Sequence, residues 1–154
     1  MKILLVCLGN ICRSPMAEGL LRAKVMERRL SITTDSAGTG DSHLGQAPDR
    51  RGQAEMKKHG IDISDLRARL FTGKDFERFD LLLAMDSQNL RDMQRLAPSA
   101  ELAKKAKLML DWSPTDKGGD VPDPWYGGSE GFVTVYDLLD ASIDTLLNEL
   151  GDVR

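Results

Sequence analysis

Cys7 closes the apolar run Ile3-Leu4-Leu5-Val6, and Arg13 follows it inside the stretch Cys7-Leu8-Gly9-Asn10-Ile11-Cys12-Arg13-Ser14-Pro15. A thiol, a turn of small residues, a forked cation and a helix start are thus packed together. A strand that ends in a tight turn and feeds a helix aims its backbone N–H groups and the positive end of the helix dipole at one point. A dianion such as a phosphoryl group would sit there. An ordinary thiol, with a pKa near ~8.5, is only about 3% ionised at pH 7, so a nucleophilic cysteine needs surroundings that favour its anion. Three are present in the sequence: the helix N-terminus, the loop donors and the Arg13 guanidinium. Ser14 reads as an N-cap and Pro15 as the first helical residue. Gly9 and Asn10 are the loop positions that best tolerate positive φ. Arg13 can grip two phosphoryl oxygens in a bidentate fork, which lysine cannot do.

Displacement at phosphorus also needs a proton donor for the leaving oxygen. In Val121-Pro122-Asp123-Pro124-Trp125-Tyr126-Gly127 an aspartate stands between two prolines and ahead of two aromatic residues. The prolines lower the entropic cost of holding the carboxyl, and the rings suit the flanks of an aromatic substrate. The same residues also fit plainer roles, with Asp123 starting a turn and Trp125 and Tyr126 anchoring a loop.

These groups need a scaffold. Residues 2–7 and 79–85 are nearly continuous apolar runs of the kind a buried parallel strand requires, with weaker strands at 32–36 and 107–110. Helical patterns occupy 15–29, 49–59, 87–96 and 131–150, the last stopping at Gly151. The alternation predicts an α/β fold: a single-domain open four-stranded parallel sheet with helices on both faces, in flavodoxin-like order, spanning residues 1–154. The Cys7 loop then lies at the carboxyl ends of the strands, near the topological switch point. Asp111 to Gly128 is the one long irregular stretch, and such loops are usually functional or disordered.

Composition narrows the partners. At 154 residues, 41% hydrophobic and 29% charged, the chain has the size of one domain with a real core. The net charge of -3 gives no footprint for nucleic acid or an anionic membrane, so an anionic substrate must be captured locally. Both cysteines lie in the first loop and no stretch reaches bilayer length, which fits a reducing, cytoplasmic setting. The apolar run after Met1 is too short for a secretory signal. His43 and His59 have no Cys or His partner at ligand spacing and read as surface or packing residues. The basic run from Arg22 to Arg29 is interrupted by Glu27 and reads as a solvated face.

From Val6 to Glu18 the sequence resembles the signature of the low-molecular-weight protein tyrosine phosphatase family, and the likeness continues almost chain-wide. It includes Asp35-Ser36-Ala37-Gly38-Thr39, Pro48-Asp49 through His59-Gly60-Ile61, Met85-Asp86-Ser87-Gln88-Asn89-Leu90 and Asp123 through Gly127. The resemblance implies a two-step hydrolysis of phosphotyrosine monoesters. Cys7 would form a cysteinyl-phosphate while Asp123 protonates the leaving phenol and then activates water, and Arg13 would hold the phosphoryl oxygens. It further implies that Asn10, Ser14 and Ser36 support the loop, that Asp86 orients Arg13, and that no cofactor or metal takes part. The expected partners are a tyrosine-phosphorylated protein and a cognate tyrosine kinase whose action is opposed. Phosphate and vanadate should inhibit by filling the loop.

Three departures matter. Ser42 stands where many relatives have a tryptophan lining the cleft, which leaves more of the ring contact to Trp125 and Tyr126. Leu66 replaces a histidine that in many members bonds to the loop, so the loop is expected to be less braced. Ile11 stands where a phosphoarginine-directed branch carries threonine, which favours phosphotyrosine. Cys12 fits either a packing role or a redox role as a partner for oxidised Cys7. Three other readings remain: an arsenate reductase, disfavoured because no cysteine follows Cys12; a phosphocysteine carrier, which needs no acid; and a non-catalytic phosphotyrosine-binding module.

Overall fold

The side chains from Ile3 to Cys7 are all nearly inaccessible to solvent, as a strand covered on both faces demands. In the computed structural model this segment is β1 (Lys2–Cys7), and it lies inside a four-stranded sheet with β2 (Thr33–Gly38), β3 (Leu81–Ala84) and β4 (Ala106–Leu108). The structure describes residues 1–152; the last two residues of the expected 1–154 span lie outside the described residues. All pairings are parallel and the order is β2-β1-β3-β4, the expected flavodoxin-like arrangement. Val6 pairs with Ala37 on one side and Ala84 on the other, so β1 is flanked by both neighbours up to its carboxyl end.

The period of two along β1 divides its side chains between two cores. Ile3, Leu5 and Cys7 face a layer formed with helices α1 (Arg13–Glu27), α2 (Arg50–Lys58) and α6 (Glu130–Asp152), in which Met16, Leu20, Phe132 and Leu139 are buried. Leu4 and Val6 face the other side, where Phe71, Phe76 and Met93 pack beneath the short helices α3 (Asp75–Arg78) and α5 (Ala100–Ala103) and helix α4 (Ser87–Arg95).

Four local expectations change. Helix α1 begins at Arg13 rather than after Ser14, with Cys12 at the cap position and no side-chain cap, so Ser14 lies inside the first turn and its hydroxyl is free for other work. Pro15 still falls in that turn, where a missing N–H costs nothing. Gly151 does not end α6, which runs through it; glycine adopts the helical region as readily as the left-handed one. The Asp111–Gly128 stretch is not wholly irregular, because 3₁₀ turns form at Met109–Trp112 and Pro124–Tyr126.

Candidate functional site

The loop after β1 is closed by ties from both neighbouring strands. Thr39 N–H donates to Cys7 O (2.9 Å), Gly40 N–H to Leu8 O (2.8 Å), and Met85 N–H to Val6 O (2.9 Å). At its tightest point Asn10 adopts φ +56, as expected, whereas Gly9 does not take a positive φ. A Cβ at position 9 would lie 3.0 Å from His43 Cδ2, so any larger residue there would press on the His43 ring.

Donors converge on the Cys7 sulfur. Asn10 N–H points at Sγ from 3.3 Å, and Ser14 Oγ is 3.0 Å away. Ser14 Oγ already accepts from Asn10 Nδ2 at 2.7 Å, which leaves its own hydrogen for the sulfur. The Asn10 amide is fixed at both ends, with Nδ2 also donating to Ser36 Oγ (3.0 Å) and Oδ1 accepting from Arg69 N–H (3.0 Å). Ser36 in turn donates to Glu18 Oε1 at 2.6 Å. Bracing therefore comes from the Arg69 backbone, and Leu66 packs against the main core instead. Leu66 thus gives the loop no side-chain hydrogen bond, and the main-chain donor at Arg69 is the tie from this segment.

Arg13 is 3% exposed, so its charge must be met locally. Nη1 donates to Asp86 Oδ2 (2.6 Å) and to Val121 O (3.0 Å), while Nη2 lies 3.9 Å from Asp123 Oδ2. Burial opposes this charge, but the Cys7 sulfur, Asp86 and Asp123 together outweigh it and raise the Arg13 pKa above its ordinary value. Asp86 also caps α4 by accepting from Asn89 N–H at 2.7 Å, so one carboxylate fixes both a helix start and the guanidinium.

Asp123 reaches the site through the end of β3. Val121 N–H donates to Met85 O at 2.8 Å, docking the loop beside the strand end two residues before the carboxyl. Asp123 Oδ1 then accepts from Trp125 N–H at 3.1 Å as the cap of the Pro124–Tyr126 turn. The turn role and the site placement thus coexist in one residue. A cleft of about 240 Å³ is lined by Cys7, Leu8, Gly9, Ile11, Cys12 and Arg13 of the loop together with Ser42, His43, Asp123, Trp125 and Tyr126.

His43 lines this cleft, against the reading of it as surface or packing. Its ring centroid is 5.4 Å from that of Trp125, so an imidazole beside Ser42 forms part of the wall. Adjacency to Ser42 was the available signal. His59 stacks on Tyr136 with centroids 3.7 Å apart, away from the site. Cys12 is buried among core residues, and burial first, then the charges of Asp49, Cys7 and Asp123, push its pKa up to about 12. Among the described residues no cluster of His, Cys, Asp or Glu could hold a metal ion, and no helix is long and apolar enough to cross a membrane.

Chemically, the arrangement can hold a tetrahedral oxyanion against loop N–H groups and Arg13, present a sulfur to it, and place a carboxyl on the cleft side. Sheet and site together define a parallel α/β protein with a cysteine–arginine anion loop at the switch point. Comparison with known proteins makes this specific. The family model described as low molecular weight phosphotyrosine protein phosphatase matches residues 2–153. A human protein named low molecular weight phosphotyrosine protein phosphatase is 44% identical over 137 residues, covering 87% of this chain and 85% of its own. The chain belongs to that family. A solved protein tyrosine phosphatase from Entamoeba histolytica, with Hepes in its active site, superposes with a TM-score of 0.93 at 38% identity, covering 99% of this chain and 97% of that one. The Drosophila protein titled arginine phosphatase superposes at 0.91 with 32% identity, covering 97% and 98%.

Proposed function

We propose that the protein hydrolyses phosphotyrosine on proteins through a cysteinyl-phosphate. The carrying observation is that Cys7, Arg13 and Asp123 line one cleft, with Arg13 held by Asp86 and 3.9 Å from Asp123. In the first step Cys7 Sγ attacks phosphorus, the bond from phosphorus to the aryl oxygen breaks, and the Asp123 proton goes to that oxygen. In the second step water attacks phosphorus, its proton passes to Asp123, and the sulfur–phosphorus bond breaks to release phosphate. Asn10 N–H and Ser14 Oγ stabilise the sulfur anion at both ends of this cycle. Arg13 and the loop amides hold the equatorial oxygens.

Ile11, Trp125 and Tyr126 around the cleft support an aromatic leaving group over phosphoarginine, and His43 supplies part of the wall that Ser42 leaves open. Inorganic phosphate and vanadate occupy the same loop and compete. The partner is a tyrosine-phosphorylated protein whose kinase this enzyme opposes, and a reducing, cytoplasmic setting keeps both thiols available.

Turnover of matched phosphotyrosine, phosphoserine and phosphoarginine peptides tests this reading, with Asp123→Ala assayed beside the wild type. Phosphotyrosine is expected to be preferred, and the variant to lose about 10²–10⁴-fold in kcat on it. Preference for phosphoarginine, or unchanged kcat in Asp123→Ala, would contradict the assignment.

A further inference from the structure

Arg51 joins the two halves of the site without lying in either. It belongs to the first turn of α2, whose cap, Asp49, donates its N–H to Ile11 O in the Cys7 loop at 2.8 Å. Asp49 grips the Arg51 side chain with both oxygens, Oδ1 accepting from Nε at 3.1 Å and Oδ2 from Nη2 at 3.0 Å. The other edge of the same guanidinium faces the turn that follows Asp123. Nη1 donates to Gly127 O at 2.8 Å and Nη2 to Trp125 O at 3.2 Å. Trp125 is the residue whose N–H holds Asp123 Oδ1. Beneath the guanidinium lies the buried ring of Phe132, 4.7 Å from Cζ to centroid, which fixes the plane of the fork.

We propose that Arg51 is a positioning residue for the reaction: by strapping the Trp125 and Gly127 carbonyls to the Asp49–Ile11 link, it sets where the Asp123 carboxyl stands over the leaving oxygen. This rests on the reading of Asp123 as the proton donor. The need is physical, because Asp123 is on an exposed turn and a misplacement of about 1 Å can cost roughly 10²-fold in rate. A planar fork with five donors can hold one carboxylate and two carbonyls together; a lysine ammonium has three donors and no fork. The strap acts on departure of the aryl oxygen and on water activation; only the first depends on the leaving group, and kcat/KM, which ends at that departure, reads it alone. Trp125 and Gly127 are exposed, so water can replace the lost bonds and the fold survives.

The test measures kcat and KM for aryl phosphates whose phenols run from strongly to weakly acidic. The proteins are the wild type, Arg51→Ala, Arg51→Lys, Asp123→Ala and the Arg51→Ala/Asp123→Ala double variant. Arg51→Ala is expected to lose about 10- to 100-fold in kcat/KM with the weakly acidic phenols and little with the strongly acidic ones. Its inhibition constant for inorganic phosphate stays at the wild-type value, and Arg51→Lys recovers part of the loss. The double variant matches Asp123→Ala, since no carboxyl remains to be placed. An equal loss of kcat/KM across all leaving groups, or a further loss when Arg51→Ala is added to Asp123→Ala, would overturn the proposal. A flat leaving-group response in Asp123→Ala itself would remove the acid role, and with it the basis of the strap, so the two failures are distinct.

Discussion

Cys7 and Cys12 share one loop and meet opposite surroundings. The first receives Asn10 N–H and faces the Ser14 hydroxyl. The second lines the same cleft but lies by Asp49, and burial first, then the charges of Asp49, Cys7 and Asp123, push its pKa up to about 12. At pH 7 that leaves on the order of one Cys12 in 10⁵ as thiolate. Iodoacetate at pH 7 is therefore expected to label Cys7 and leave Cys12 unmodified in the native protein, as peptide mapping by mass spectrometry would show. An adduct on native Cys12 would contradict this. That Cys7, Arg13 and Asp123 line one cleft was legible from the sequence, because residue type and local context single them out. Ser14 was legible as a polar group near a helix start, but its hydroxyl serves the sulfur and the Asn10 amide rather than the cap. His43 was missed because a histidine without ligand-spaced neighbours reads as a surface residue; its place next to Ser42 was the one hint, and the fold puts it beside Trp125.

Helix α1 delivers the loop and packs against β1, β2, α2 and α6, so its inner face tolerates little added volume. At Gly19 a Cβ would lie 2.3 Å from Ile63 Cγ2, a stiff branch methyl on a side chain that is 1% exposed. Helix propensity alone would make Gly19→Ala stabilising by about 1 kcal/mol. Overpacking costs roughly 1–3 kcal/mol, and here it wins. Gly19→Ala should lower the midpoint of urea unfolding, and adding Ile63→Ala should recover part of that cost in a double-mutant cycle. A stabilised single variant would show that the helix shifts freely, against the close packing described. Element types were readable from apolar runs and periodicity, while ends were less so. Gly151 illustrates the reason: a glycine permits a helix stop without enforcing one, and α6 continues through it.

Across the whole molecule, stability and the site are joined by a buried carboxyl. Glu18 is 6% exposed, and burial raises its pKa, with Asp35 adding to the rise and the Ser36 hydrogen bond and Arg22 opposing it. A carboxyl raised above its ordinary value of 4.5 contributes stability that is complete below that value and is lost as pH climbs through the folded-state pKa. Glu18→Gln keeps an acceptor for Ser36 without the charge. Its thermal midpoint relative to the wild type should therefore rise from pH 4 to pH 7, and a difference that stays constant over that range would contradict the assignment. The order of the sheet was legible because β1 and β3 are apolar almost throughout, as buried parallel strands must be. The long-range ties were not: Arg69 to Asn10, Val121 to Met85 and Arg51 to Gly127 join segments far apart in the chain by main-chain groups that carry no residue-type signal.

The central claim is that phosphate passes through the Cys7 sulfur. Rapid acid quenching during turnover of radiolabelled phosphotyrosine peptide, followed by peptide mapping, tests it directly. The label should appear on the peptide containing Cys7 in the wild type and on no peptide in Cys7→Ser, which should still bind the substrate. Label on any other residue, or sustained turnover by Cys7→Ser, would contradict the account.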